Sequence, residues 1–419
     1  MKFNTIDEFL KHYVDLNYRY DILYLNDKEM YKDLFEYAYA RKMNAIYQSL
    51  LGYLYKYGEG VEKSETSSFE WFYKAASNGH GYAMYELGLI YEKGRCVQQD
   101  LNQAFSWYSK SSELGVDAAM NNLGLFYEKG IACTRNMEHA FALYLKAAEK
   151  GNKSAITNVA LCYRTGNGVP LDYNKSFYWY QIGAEKGDSV ALNSLGYMYE
   201  NGYGCNKSLE QAFNYYLQAA EKGLARAMNN VGFFYDRGMS VPQDYKKALY
   251  WYEKAAEKGE IYAMRNVGLF YKDGLGTSVD LNKAKYWFTK AGEAGHPSAM
   301  VHLGYMYEKG NGVVQDYKTA LEWYLKAAKL GNAVALSNIG VYYEKGYGVE
   351  KNTTIAVAYY KQAAEKGEGV AYYNLGICYQ NGTGVEKDYS LALSYLKKAI
   401  DKNYPKAQNA YDALKNRIS

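Results

Sequence analysis

Residues 299–331 read AMVHLGYMYEKGNGVVQDYKTALEWYLKAAKLG, and the same pattern recurs through most of the chain. Its central glycine, Gly304, lies 36 residues after Gly268 and 36 before Gly340. Followed outward, the series is Gly52, Gly88, Gly124, Ala160, Gly196, Gly232, Gly268, Gly304, Gly340 and Gly376. A fixed period of this length marks a stacked repeat array, in which each unit packs on its neighbours.

Within one period the apolar spacing predicts two helices. Ala119, Leu123, Gly124 and Tyr127 fall on one face of a first helix. Ala320, Trp323, Tyr324 and Ala327 form the stripe of a second, typified by Tyr317–Leu330. A glycine from Gly58 to Gly382 ends the first helix in every copy, as a left-handed C-terminal residue does. A short polar residue then precedes each second helix, from Ser64 and Asp100 through Asp316 to Asp388, and each is a preferred N-cap type. The mid-helix glycine costs about 1 kcal/mol relative to alanine. Its recurrence predicts a close neighbour at that point, most simply an adjoining helix.

The pattern A-x-x-x-L-G-x-x-Y-x-x-G-x-G-V-x-x-D-x-x-x-A-x-x-W-Y-x-K-A-A-x-x-G resembles the SEL-one-like repeat, a subclass of the tetratricopeptide-like helical repeats. The resemblance covers about residues 45–403, and residues 299–331 match it throughout. The third copy departs most: Ala132 and Cys133 replace the loop Gly-Val, and Leu143 replaces the tryptophan. The resemblance implies an all-α fold, a right-handed α-solenoid of antiparallel helix pairs with ten 36-residue repeats and the first helices on the concave face. It also implies an adaptor or scaffold role. Residues 1–44 read as an N-terminal helical cap and 404–419 as a C-terminal capping helix. In the former, Thr5 and Glu8 make a capping box, Tyr18–Leu25 reads as a loop or short extended piece, and Asn26-Asp27 cap a helix to about Lys42. In the latter, Asp412 and Lys415 replace the glycine and tyrosine.

Lys and Arg number 49 against 45 Asp and Glu, for a net charge of +4. So balanced a charge gives no support for a nucleic-acid partner. No run approaches the 18 or more apolar residues that span a bilayer, so membrane insertion is not expected. The start, MKFNTIDEFLKHYV, lacks a signal-peptide core, and five scattered cysteines read as reduced thiols. These features point to a cytoplasmic monomer, with export as a host-directed effector the alternative.

Ten internal copies separate packing columns from variable ones. On the implied concave face the variable positions lie three before, one after and four after the central glycine. The candidate groove residues are Asn121, Asn193, Asn229 and Arg265 on one side and Tyr197, Phe233 and Tyr305 along the midline. Glu128, Arg164, Glu200, Asp236, Lys272 and Glu308 lie on the other side. Asparagine amides suit a peptide backbone, aromatic rings provide anchors, and the acidic edge suggests a basic or mixed-charge protein segment. No motif of a metalloprotease, serine hydrolase or nucleotide-binding loop is present, so no catalytic residue, metal or cofactor is assigned. Ser394 and Lys397 form an isolated SxxK match, the one handle for a hydrolase reading.

Overall fold

The computed structural model describes residues 2–3, 5–15, 24–25 and 29–418. Among them are 23 helices and a two-residue parallel pairing of Lys2–Phe3 with Tyr24–Leu25. The chain divides into two units, Met1–Tyr215 and Tyr216–Ser419, with the division inside helix Leu209–Glu221. Within each unit, consecutive helices pack pairwise in chain order as an α-solenoid.

One repeat shows why. Helix Pro297–Lys309 runs thirteen residues and stops at Gly310, whose φ of 71° a side chain would strain. Val313 and its neighbours return the chain, and the Asp316 N–H donates to the Tyr307 carbonyl at 2.9 Å. The Asp316 carboxylate then accepts from the backbone N–H groups of Lys318 and Thr319, opening helix Tyr317–Lys329. All ten predicted N-cap side chains make such a bond. A three-residue link leads into the next first helix, Ala333–Lys345. Pro297 is the first residue of its helix, where no N–H is required.

The neighbour that demands the mid-helix glycine is a ring rather than a helix backbone. A Cβ on Gly304 would lie 2.4 Å from the Tyr324 ring, and one on Gly88 2.5 Å from that of Tyr108. In each case the second helix of the same repeat lays a buried aromatic side chain on the glycine. This column forms much of the core: Phe72, Tyr108, Tyr144, Phe288, Tyr324 and Tyr360 are all fully buried.

The flanking segments differ in detail from expectation. Thr5 caps helix Ile6–Asp15 through the Glu8 N–H at 3.2 Å, and Phe9 and Tyr13 join the core of the first repeats. Helix Met30–Ala40 ends short of Lys42 and has Glu29 at its N-cap with no side-chain cap bond. The expected cap at Asn26-Asp27 lies outside the described residues, as does most of Tyr18–Leu25. The last helix, Ala407–Ile418, buries Ala407 and Leu414 and exposes Asp412 and Lys415.

Candidate functional site

In five repeats the position four after the central glycine has an inward task. The ring seated on the glycine extends its hydroxyl to this residue, sixteen positions back. Tyr108 donates to Glu92 at 2.5 Å, Tyr144 to Glu128 at 2.5 Å, Tyr324 to Glu308 at 2.9 Å and Tyr360 to Glu344 at 2.8 Å. Tyr252 reaches Asp236 at 3.5 Å. Burial, followed by the adjacent carboxylate, raises these phenols above their ordinary pKa, so they remain donors. Burial also raises Asp236. The acidic edge of the predicted groove therefore turns part of its hydrogen-bonding capacity into the core.

The sequence carries this coupling, although the column looked like a variable surface. Where the ring is tyrosine, the partner is Glu92, Glu128, Arg164, Glu200, Asp236, Glu308 or Glu344. Where it is Phe72, Phe288 or Leu396, the partner is Lys56, Lys272 or Gln380, none of them acidic. A hydroxyl that needs an acceptor selects a carboxylate, and a ring without one does not. Arg164 is the exception, and its guanidinium faces Tyr180.

The asparagine side is also partly engaged. Asn121 is only 6 % exposed, accepts from Asn158 Nδ2 at 3.0 Å and donates to Asn122 at 3.3 Å. Asn229 accepts from Asn266 Nδ2 at 3.2 Å. These amides join successive first helices, which removes Asn121 from a ligand-facing role. Asn193, Asn229 and Arg265 are half-buried, as are Glu128, Arg164, Glu200, Asp236, Lys272 and Glu308. The three midline rings are the exposed ones among these candidates: Tyr197 and Phe233 at 38 % and Tyr305 at 47 %. Arg164 lies over the Tyr197 ring, Arg237 over Phe233 and Lys309 over Tyr305, at 5.2, 5.8 and 5.7 Å.

Two recesses open between successive first helices, in the same register five repeats apart. One, of about 180 Å³, includes Lys56, Phe72, Glu86 and Ile90 in its lining. The other, of about 260 Å³, has Asp236, Tyr252, Asn266 and Phe270 at the corresponding places, together with Phe233 and Arg265. The second therefore joins residues from the apolar midline, the acidic edge and the opposite side of the predicted groove.

Repeat length and cap pattern recur in ten consecutive windows, 45–80, 81–116, 117–152, 153–188, 189–224, 225–260, 261–296, 297–332, 333–368 and 369–404, each of which matches the Sel1 repeat. The chain belongs to the Sel1 repeat family. It is similar to the crystal structure of a protective antigen of uropathogenic Escherichia coli with an SLR fold, at 32 % identity over 90 % of this chain and 81 % of that one, with a TM-score of 0.68. It is also similar to a Sel1 repeat protein from Oxalobacter formigenes, at 33 % identity over 59 % of this chain and 99 % of that one, with a TM-score of 0.55. No curated protein matches significantly. Sel1 repeat proteins generally act as protein-interaction scaffolds, and the fold is typically non-catalytic.

Other features singled out in the sequence are accounted for within the repeats. Ser394 and Lys397 are both exposed on helix Tyr389–Asp401. Cys162 and Cys378 are buried, and burial pushes both thiols up to about 12. All five cysteines are free. Among the described residues no group of His, Cys, Asp and Glu has a metal-holding arrangement, and no helix is long and apolar enough to cross a membrane. Sequence reasoning missed a second N-cap column at the repeat junctions. There Asn152, Asp188 and Asn332 cap the first helices, and His80 and His296 do so through Nδ1 at 3.2 and 3.3 Å. The signal was present as a polar residue before each first helix, interrupted at Val116 and Leu224.

Proposed function

We propose that the protein is a non-enzymatic interaction scaffold that holds a peptide or helix of a partner protein against its first helices. The side chains of that segment enter the recesses between repeats. The observation that carries this reading is the exposure of three rings, Tyr197, Phe233 and Tyr305, with Phe233 itself lining the recess of repeats six and seven. Exposed rings backed by a rigid helix provide large contact area at low entropic cost. The asparagine ladder and the Tyr–carboxylate bonds hold these rings in place instead of contacting the ligand directly. The scaffold acts as a monomer in the cytoplasm of the cell that makes it, a reading favoured by its near-balanced charge and free thiols.

The test is binding of displayed random peptides to the full chain. Peptides selected on the native protein should lose on the order of tenfold or more in affinity for the triple variant Y197A/F233A/Y305A. Because all three rings are exposed, the variant should keep its helical circular dichroism and unfolding midpoint. Undiminished binding by that folded variant would remove the reading.

A further inference from the structure

We infer that the recess of repeats six and seven selects an acidic side chain, aspartate or glutamate, on the bound segment. This rests on the peptide-binding reading above and specifies its partner. It also reverses the polarity suggested by the sequence, in which an acidic edge favoured a basic segment.

Arg237 and Arg265 line the recess together with Asp236 and Asp273. Asp236 is taken by the Arg237 Nε at 3.7 Å and the Tyr252 hydroxyl at 3.5 Å. Asp273 is taken by Lys272 at 3.3 Å. Arg265 is left over. Its guanidinium makes one hydrogen bond, from Nη1 to Asn266 Oδ1 at 3.0 Å, and its Nε is buried without an acceptor. Among the described residues no carboxylate lies within ion-pair distance of it. A guanidinium presents five donors in a planar fork matched to a carboxylate, and a half-buried one without a counter-ion is incompletely compensated. Burial and the Arg237 charge lower the Arg265 pKa, while the group remains a cation at neutral pH.

The surroundings offer no internal relief. His296 and His302 face the same cation, and burial holds both below their ordinary pKa, so neither is an anion nor a competing charge at neutral pH. The Asn266–Asn229 bond ties the Nη1 acceptor to the preceding first helix, Ala225–Arg237, which anchors one side of the fork. Phe233 and Leu269 supply the apolar wall. An acidic side chain flanked by an apolar one therefore matches both the unpaired charge and the walls. Arg265 is also unique in its column, where Asn121, Asn193 and Asn229 stand in other repeats.

The experiment sequences dodecapeptides selected from a displayed random library on the full chain, on Arg265→Asn and on the exposed-surface control Arg226→Gln. Asparagine is native to the column in three other repeats, so Arg265→Asn should fold. The expected result is enrichment of Asp or Glu at one fixed position with the native chain and the control, and its loss with Arg265→Asn. A selected acidic peptide should bind Arg265→Asn on the order of tenfold more weakly. Its glutamine or asparagine counterpart should bind native and variant chains equally. Selected peptides without an acidic preference would overturn the inference while leaving the peptide groove standing. Failure to select any peptide on the native chain would remove both. Binding of single-stranded oligothymidylate that is lost in Arg265→Asn, with no acidic peptide selected, would assign the cation to phosphate and overturn the inference.

Discussion

The recess of repeats one and two and that of repeats six and seven occupy the same register and solve the same packing problem with opposite charges. In the first, Phe72 seats on Gly52 and has no hydroxyl, so Lys56 turns to the next repeat and pairs with Glu86 at 2.7 Å. In the second, Tyr252 seats on Gly232, Asp236 receives the hydroxyl, and Asn266 replaces Glu86 and bonds along the amide ladder. One recess has a closed internal ion pair; the other retains an arginine without a carboxylate. The scaffold column is therefore free to change chemistry provided that its partner sixteen or thirty residues away changes with it. A charge on this face acquires binding significance only after those partners have been counted.

The largest expected effect that tests this comparison is at Glu86, whose side chain is 8 % exposed against 25 % for Lys56. Glu86→Ala should cost about 3 kcal/mol by leaving the lysine ammonium without its partner. Asn266→Ala should cost about 1 kcal/mol for the lost amide bonds. Urea unfolding measures both, and equal costs would break the contrast between the recesses.

Next in size is a pH effect with one buried histidine in each unit. Burial holds His80 and His302 at about 4 in the fold, against an ordinary value of 6.5. The unfolded chain therefore binds the extra proton first. Stability should be full above pH 6.5, fall as the pH drops towards 4 and level off below it, by about 3 kcal/mol per histidine. His80→Asn keeps a capping acceptor and His302→Asn restores the residue common at that column, so each should flatten part of the slope. A pH profile unchanged in both variants would show that these rings do not titrate with folding.

Smaller effects separate the Tyr–carboxylate bonds. Tyr108→Phe, which removes a donor 2.5 Å from Glu92, should cost about 1.5 kcal/mol. Tyr252→Phe, which gives up a 3.5 Å contact, should cost about 0.5 kcal/mol. The smallest concerns the loop bordering the first recess. Cys96 has a φ of 52° where repeat seven has Gly276, so Cys96→Gly should stabilise by about 0.5–1 kcal/mol in the same measurement.

Much of the fold was legible in the sequence because the period repeats every local signal ten times. Caps, terminating glycines and apolar stripes each depend on residues within one or two turns, so a linear reading finds them. The site was legible only in part. Tyr197, Phe233 and Tyr305 were placed on the face now seen to expose them. Asn121 and the carboxylates were read as open because the same reading does not show which side chains are already engaged. The link from residue 92 to residue 108 is visible in the sequence once the ring-on-glycine geometry is known, and every copy but the one with Arg164 follows it.

The sequence by itself determined the repeat length, the helix pairs and the identity of the stacking columns, since these follow from periodicity and short-range capping. Tertiary structure decided which polar groups remain available. That depends on distances between side chains sixteen, thirty and thirty-seven residues apart, such as Tyr108 to Glu92, Lys56 to Glu86 and Asn266 to Asn229. Hydrogen bonds act over about 3 Å, so whether Arg265 has a partner is settled only when the helices are packed.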